Sequence, residues 1–313
     1  MIYMVSLLAF GFTLFWQPLL LGLLRQSSMV RPNYAGELIP VPAGLVMVAG
    51  LVSAFAVTAI LFPPEVLVLG AVAGIVAMAF LGLVDDVMGS RHASGLRGHF
   101  KMLLRDHQLT TGAFKALGGG LVALFLSAGL SRGGVPGGGF WFGPGWGMYL
   151  SNLSINALII ALSANAINLL DLRPGRAVKG YLVGVVAVII ASRSLSHLEV
   201  TAPVMAAAIA YLPTDLRGRA MMGDTGSNLL GLSLGLAAAA GLPLGLRIGF
   251  LLLLVLFHLY TEKYSLTRTI EKVGFLRWID QLGRPATSSP IPGSDTAAEI
   301  EAAHPLPADQ RET

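Results

Sequence analysis

The sequence predicts an all-α protein, a polytopic helical membrane bundle of about nine transmembrane helices followed by a C-terminal amphipathic helix. Three observations predict it. Hydrophobic residues fill 54% of the 313 positions and charged residues only 12%, against about 25% charged in a soluble domain. The mean hydropathy is +0.71, which suits a bilayer rather than water as the surrounding solvent. The apolar residues also fall into continuous runs of roughly the 20 residues that a helix needs to cross the hydrocarbon core, too long and unbroken for the strands of a barrel. Cysteine is absent, so neither a disulfide framework nor thiolate chemistry is available.

The runs lie at roughly 2–24, 41–62, 65–84, 110–131, 150–170, 178–195, 199–213, 225–241 and 243–260. Nothing basic precedes the first, and Arg25 is the first charge, so this run reads as a retained span and not as a cleaved signal peptide. The net charge of +4 is small, but its distribution orients the bundle. Alternate loops hold Arg25 and Arg31, then Arg91, Arg97, Lys101 and Arg105, then Arg173, Arg176 and Lys179, then Arg217 and Arg219, and last Lys263, Arg268, Lys272, Arg277 and Arg284. The opposite loops hold Arg132, Arg193 and Arg247. The basic set is expected in the cytoplasm, the N-terminus outside and the C-terminus inside.

Residues 1–262 form the expected transmembrane domain. The glycine-rich outer loop at 132–147 reads as an irregular hairpin with Phe140, Trp141 and Trp146 at the interface. Over 263–284, Leu266, Ile270, Val273, Leu276, Ile279 and Leu282 recur near one helical face while Arg268, Lys272 and Arg277 fall elsewhere. That pattern predicts an amphipathic helix on the inner membrane surface or packed on the bundle. Residues 285–313 are polar and proline-rich and read as a disordered tail. His92, His99 and His107 share one loop at spacings too loose for a metal site.

Carboxylates at membrane depth are costly and are therefore candidates for function. Three clusters fall on the expected cytoplasmic side. In FLGLVDDVMGS, Asp85 and Asp86 close the third run. Their mutual repulsion needs a metal ion, a lysine or a shared proton to offset it, and a pair at a helix C-terminus has the wrong sign for the helix dipole. In SANAINLLDLRPG, Asn165, Asn168 and Asp171 recur every three residues and can share a face; amide and carboxylate oxygens suit a hard cation or a nucleotide, and the two asparagines equally suit hydrogen bonds between helices inside the bundle. In AMMGDTGSNLLGL, Gly223 and Gly226 permit close backbone approach and Thr225 and Ser227 offer hydroxyls. Asp224 is either an N-cap or a carboxylate facing phosphates across Mg²⁺. Lys115, just inside the fourth run, either snorkels to the interface or holds a phosphate or an ion pair.

GLVDDVMG, NAINLLD and MGDTGSNLLG occur in an order and spacing that resembles the polyprenyl-phosphate N-acetylhexosamine-1-phosphate transferases. That superfamily includes phospho-N-acetylmuramoyl-pentapeptide transferase and undecaprenyl-phosphate N-acetylglucosamine-1-phosphate transferase. NYAGELIPVPAG and TGAFKALGG resemble two further family stretches, and the resemblance covers about residues 1–260. It implies transfer of a sugar-1-phosphate from a UDP-amino sugar to a polyprenyl phosphate, undecaprenyl phosphate, at the cytoplasmic face of the cell membrane. UMP would be released, Mg²⁺ would be the cofactor, and the product would serve cell-envelope glycan synthesis. By the same resemblance Asp224 is the main Mg²⁺ ligand and Asn168 a second contact to metal or nucleotide. Asp85 is the base acting on the lipid phosphate, with Asp86 beside it, Lys115 steadies phosphate, and Asp171 closes the asparagine motif. A homodimer is in keeping with the family, and no nucleic-acid partner is expected.

The chain departs from the family pattern in two places. Leu172 and Pro174 stand where a glycine and often a second acidic residue are usual. TEKYSLTRTIEKVG carries no histidine where the family has a histidine-rich loop, and no tenth span follows. Two other readings stand beside the enzyme: a non-catalytic relative that binds polyprenyl phosphate or nucleotide as a partner of other envelope proteins, and a secondary transporter with ion-coupling carboxylates.

Overall fold

A computed structural model describes residues 1–33, 36–89, 110–131, 145–192, 195 and 197–285. The outer-loop residues Phe140 and Trp141, the loop basic residues Arg91, Arg97, Lys101 and Arg105, the three loop histidines and the tail beyond 285 lie outside the described residues. The elements run α1 (Ile2–Gln26), β1 (Val30–Pro32), β2 (Leu38–Pro40), α2 (Leu45–Leu61), α3 (Val66–Met88), α4 (Thr111–Ser131), α5 (Trp146–Leu170), α6 (Arg176–Ala191), α7 (Leu198–Leu216), α8 (Gly223–Gly241), α9 (Leu244–Lys263), α10 (Leu266–Lys272) and α11 (Gly274–Gln281). The protein is an all-α helical membrane bundle, and α1 to α9 each fall on one of the nine apolar runs. Five of them, α1, α3, α4, α5 and α9, are long and apolar enough to cross a membrane unaided. The others are shorter or less uniformly apolar.

The second run does not begin where its hydropathy does. Residues before Leu45 are drawn into backbone pairing: Met221 N–H donates to Pro40 O, Ala43 N–H to Met221 O and Gly44 N–H to Met222 O, each at 2.9 Å. Just ahead lies a small antiparallel hairpin, β1–β2, in the register Val30↔Pro40, Arg31↔Ile39 and Pro32↔Leu38. Apolarity alone does not announce this strip of extended chain. It satisfies backbone groups that would otherwise be orphaned inside the protein, and it ties the segment after α1 to the segment before α8.

The core is built around α8, which is buried without a break from Thr225 to Ala239 and packs against α5, α3, α6 and α7. A helix apolar on all sides belongs inside. Small residues permit this. Cβ atoms added at Gly231 and Gly235 would lie 2.5 Å from Ala164 Cα and 2.6 Å from Ile160 Cα, so the α5 and α8 backbones meet at these two glycines, spaced four apart as in close-packed membrane helices. Scattered polar contacts stitch the remaining spans, including Tyr181 hydroxyl with Ser233 at 3.2 Å and Arg247 donating to Asn156 Oδ1 at 2.9 Å. By contrast α9 buries Leu254 alone and turns most of its side chains outward, as a lipid-facing helix does.

The stretch expected as one amphipathic helix is two. Val273 is extended (φ −92°, ψ 109°) and separates α10 from α11. Gly235→Val should force α5 and α8 apart and lower stability in detergent by about 1–3 kcal/mol, read as a fall in the thermal unfolding midpoint. Gly249→Ala on α9, where an added Cβ meets nothing within 4 Å, should leave that midpoint unchanged.

Candidate active site

Helices that alternate in direction bring the C-terminal ends of α3 and α5 to the same end of the bundle as the N-terminal ends of α4 and α8. Asp85 comes from the last turn of α3, Lys115 from the second turn of α4, Asn168 from the last turn of α5 and Asp224 from the first turn of α8. The Lys115 ammonium joins them. It donates to Asp85 Oδ2 at 2.8 Å and to Asp224 Oδ2. Asn168 Nδ2 donates to the same Asp224 oxygen at 3.3 Å, and Ser227, itself fully buried, donates its hydroxyl proton to Asn168 Oδ1 at 3.2 Å. Lys115, Asp85 and Asp224 each keep between 20 and 24% of their side-chain surface exposed. The cluster is thus open to a ligand while sheltered enough for its charges to interact strongly.

Asp86, next to Asp85 in sequence, does not join this cluster. It points into the N-terminus of α8, where Oδ1 accepts from Asp224 N–H at 2.9 Å and Oδ2 from Thr225 N–H at 2.9 Å and Thr225 Oγ1–H at 2.8 Å. The neighbouring carboxylates are therefore separated by direction, one to a lysine and one to a helix end. The dipole argument changes sign with it, because Asp86 sits at the negative end of its own helix but the positive end of another. The N-cap role open to Asp224 from sequence belongs to Asp86 instead: Met222 is the N-cap residue and supplies no side-chain bond. Gly223 makes room for this. Its φ of +70° and a spacing of 2.6 Å from a would-be Cβ to Asp86 Oδ2 leave no place for a side chain. Arg31 donates to the Asp86 carbonyl and draws the hairpin into the same assembly.

Asp171 caps α5 at its C-terminus, and Gly223 N–H bonds to its carboxylate. Burial, and after it the nearby Asp215 carboxylate, push the Asp171 carboxyl well above the usual carboxylate range. Asn165 lies three residues before Asn168 on α5 and is half-buried. The three-residue rhythm thus splits: Asn168 reaches Asp224 while Asp171 folds back under the α8 turn.

Sequence reasoning missed Asp215, Asp280 and the part played by Arg176. Asp215 accepts from Gly175 N–H at 3.0 Å. Arg284 donates to Pro174 O at 2.8 Å, and Arg176 pairs with Asp280 at 2.7 Å. The turn between α5 and α6 is therefore pinned from outside. For Asp215 there was a signal, a carboxylate at the end of an apolar run. For Asp280 there was none, since its partner is 104 positions away.

Hard cations take oxygen ligands. Asp85 and Asp224 offer such oxygens side by side, Asn168 turns its Nδ2 to Asp224 and its Oδ1 to Ser227, and a cation, the Lys115 ammonium, already bridges the two carboxylates. Among the described residues no group of three or more His, Asp or Glu side chains is arranged around a metal position. An ion here would rest on the Asp224 carboxylate and the Asn168 amide oxygen, with the remaining ligands coming from substrate or water, the usual pattern for Mg²⁺.

Fold and site together define a polytopic membrane protein with a lysine–carboxylate–amide cluster at one end of its bundle. The glycosyl transferase family 4 model matches residues 68–242, from α3 to the end of α8 and more than half of the chain. The chain belongs to that family, the polyprenyl-phosphate hexosamine-1-phosphate transferases. A search of curated proteins returns no match.

Asp86→Ala should leave the buried N–H groups of Asp224 and Thr225 without an acceptor and cost about 2 kcal/mol, measured by thermal unfolding in detergent. Asp86→Asn, which keeps one carboxamide oxygen as acceptor, should cost less.

Proposed function

We propose that the protein transfers a sugar-1-phosphate from a UDP-amino sugar to undecaprenyl phosphate and releases UMP, at the cytoplasmic face of the cell membrane, for cell-envelope glycan synthesis. Family membership supports a polyprenyl-phosphate sugar-phosphate transferase in general. The finer reading rests on one observation: Lys115, Asp85, Asp224 and Asn168 meet within hydrogen-bonding reach at one end of the bundle. The excess of arginine and lysine at that end supports a cytoplasmic orientation, where nucleotide sugars are found.

In this reading an oxygen of the lipid phosphate attacks the β-phosphorus of the UDP-sugar, the phosphoanhydride bond to UMP breaks, and the sugar phosphate becomes joined to the lipid through a new pyrophosphate. Asp85 takes the proton from the lipid phosphate. Lys115 holds Asp85 and Asp224 in register and offers its charge to an incoming phosphate. Asn168, fixed by Ser227, orients the donor, with Asn165 and Asp171 at its margin. Asp86 positions Asp224 through the α8 N-terminus. Asp224 and Asn168 would hold Mg²⁺, which when bound would neutralise charge developing on the pyrophosphate. Self-association as a homodimer belongs to the same proposal.

A binding-only relative is the second reading. The absence of histidine from 261–274 favours it, as does a lysine that already neutralises one of the two clustered carboxylates.

Purified protein incubated with undecaprenyl phosphate, Mg²⁺ and a panel of UDP-amino sugars should release UMP. Asp224→Asn should reduce kcat by at least about a hundredfold while the fold is kept. UDP-sugar binding without UMP release from the unsubstituted protein would overturn the transferase reading in favour of the second.

A further inference from the structure

The amphipathic helix α11 is fastened to the bundle through Asp280, its one buried side chain. Asp280 is buried against Arg176, accepting from Nε at 2.7 Å and Nη2 at 3.1 Å, and from Arg284 at 2.8 Å. Lys179 donates to the carbonyls of Ile279 at 2.7 Å, Asp280 at 2.6 Å and Leu282 at 3.2 Å, which are the C-terminal carbonyls a helix leaves open. Burial would raise the Asp280 carboxyl, but the bonds and charges from Arg176 and Arg284 hold it below the usual carboxylate range, so the latch is ionised at neutral pH. With Asp280 fixed to the bundle, α11 turns its aromatic side chains to the surroundings. Phe275 is 68% exposed, Trp278 60% and Leu276 39%, and the Phe275 and Trp278 rings stack at 6.2 Å. At about 100° per residue, Asp280 lies roughly 140° around the helix from Phe275.

We propose that this outward face seats in the boundary between headgroups and acyl chains of the leaflet at the site end of the bundle, as an interfacial anchor. Two features point to lipid as the occupant. The first is continuity. α9 spans the membrane up to Lys263, and Gly274 follows after one seven-residue helix, α10, which is about 10 Å long. The face therefore begins close to the membrane surface that α9 leaves. The second is charge. The stretch 263–284 carries five basic residues against two acidic ones, and Arg268, Lys272 and Arg277 are exposed, which suits anionic headgroups around an inserted aromatic pair. The anchor is tied through Asp280 and Arg176 to the turn that follows Asp171. The inference needs only a membrane-embedded bundle and is independent of the transfer reaction.

The chain has no cysteine, so Phe275→Cys, Trp278→Cys and Arg277→Cys each accept one nitroxide label. The full chain would be reconstituted in vesicles of phosphatidylcholine with phosphatidylglycerol. Labels at 275 and 278 should collide more with oxygen, which partitions into lipid, than with a water-soluble nickel chelate; the label at 277 should show the reverse. The chain's other tryptophans, Trp16, Trp141 and Trp146, can be changed to Phe so that Trp278 reports alone with the anchor face intact. Lipids brominated just below the headgroups should then extinguish most of its fluorescence. Nickel-accessible labels at 275 and 278 together with unquenched Trp278 would overturn the proposal. So would dipolar broadening between labels on two copies, which would assign the face to a chain–chain contact.

Discussion

The N-terminus of α8 lies inside the bundle, and its free N–H groups cannot be left to water. A helix end buried without partners is costly in any protein and more so in lipid. Asp86 meets that demand from another helix, accepting from Asp224 N–H, Thr225 N–H and the Thr225 hydroxyl. Much of the site depends on this contact. It fixes the rotation of α8, and with it the direction of Asp224. It fixes the end of α3, and with it the direction of Asp85. Gly223 and the hairpin arginine Arg31 are both shaped to fit it.

A second balance rests on that frame. Asp85 and Asp224 would repel across the gap between α3 and α8, and Lys115 sits between them. Two carboxylates and one ammonium leave a net negative charge, and Asp86 stands close behind. The cluster is stable as it is and still electrostatically favourable to a further cation. The ends of four helices contribute to it, so any change in helix packing moves the site. The two-glycine contact of α8 on α5 therefore matters to chemistry as well as to stability.

The turn between α5 and α6 is held by distant parts of the chain. Arg284 holds the Pro174 carbonyl, Asp215 the Gly175 amide and Asp280 the Arg176 side chain. The C-terminal segment, expected on the membrane surface or packed on the bundle, is fastened to this turn and to the start of α6.

The sequence by itself determined the helical membrane bundle, the position of its nine apolar runs and the neighbourhood of the cluster. Hydropathy is read over some twenty residues at a time, and polar side chains in such runs are rare enough to stand out as candidates without coordinates. Asp85, Lys115, Asn168 and Asp224 were all legible in that way. Only the tertiary structure decided which of two adjacent aspartates faces the cluster and which caps a helix. It also decided that the second run starts at Leu45, that the amphipathic stretch breaks at Val273, and that Asp280 belongs with Arg176. The reason is physical: each of these turns on a partner supplied by a distant part of the chain, and local pattern carries no record of that partner.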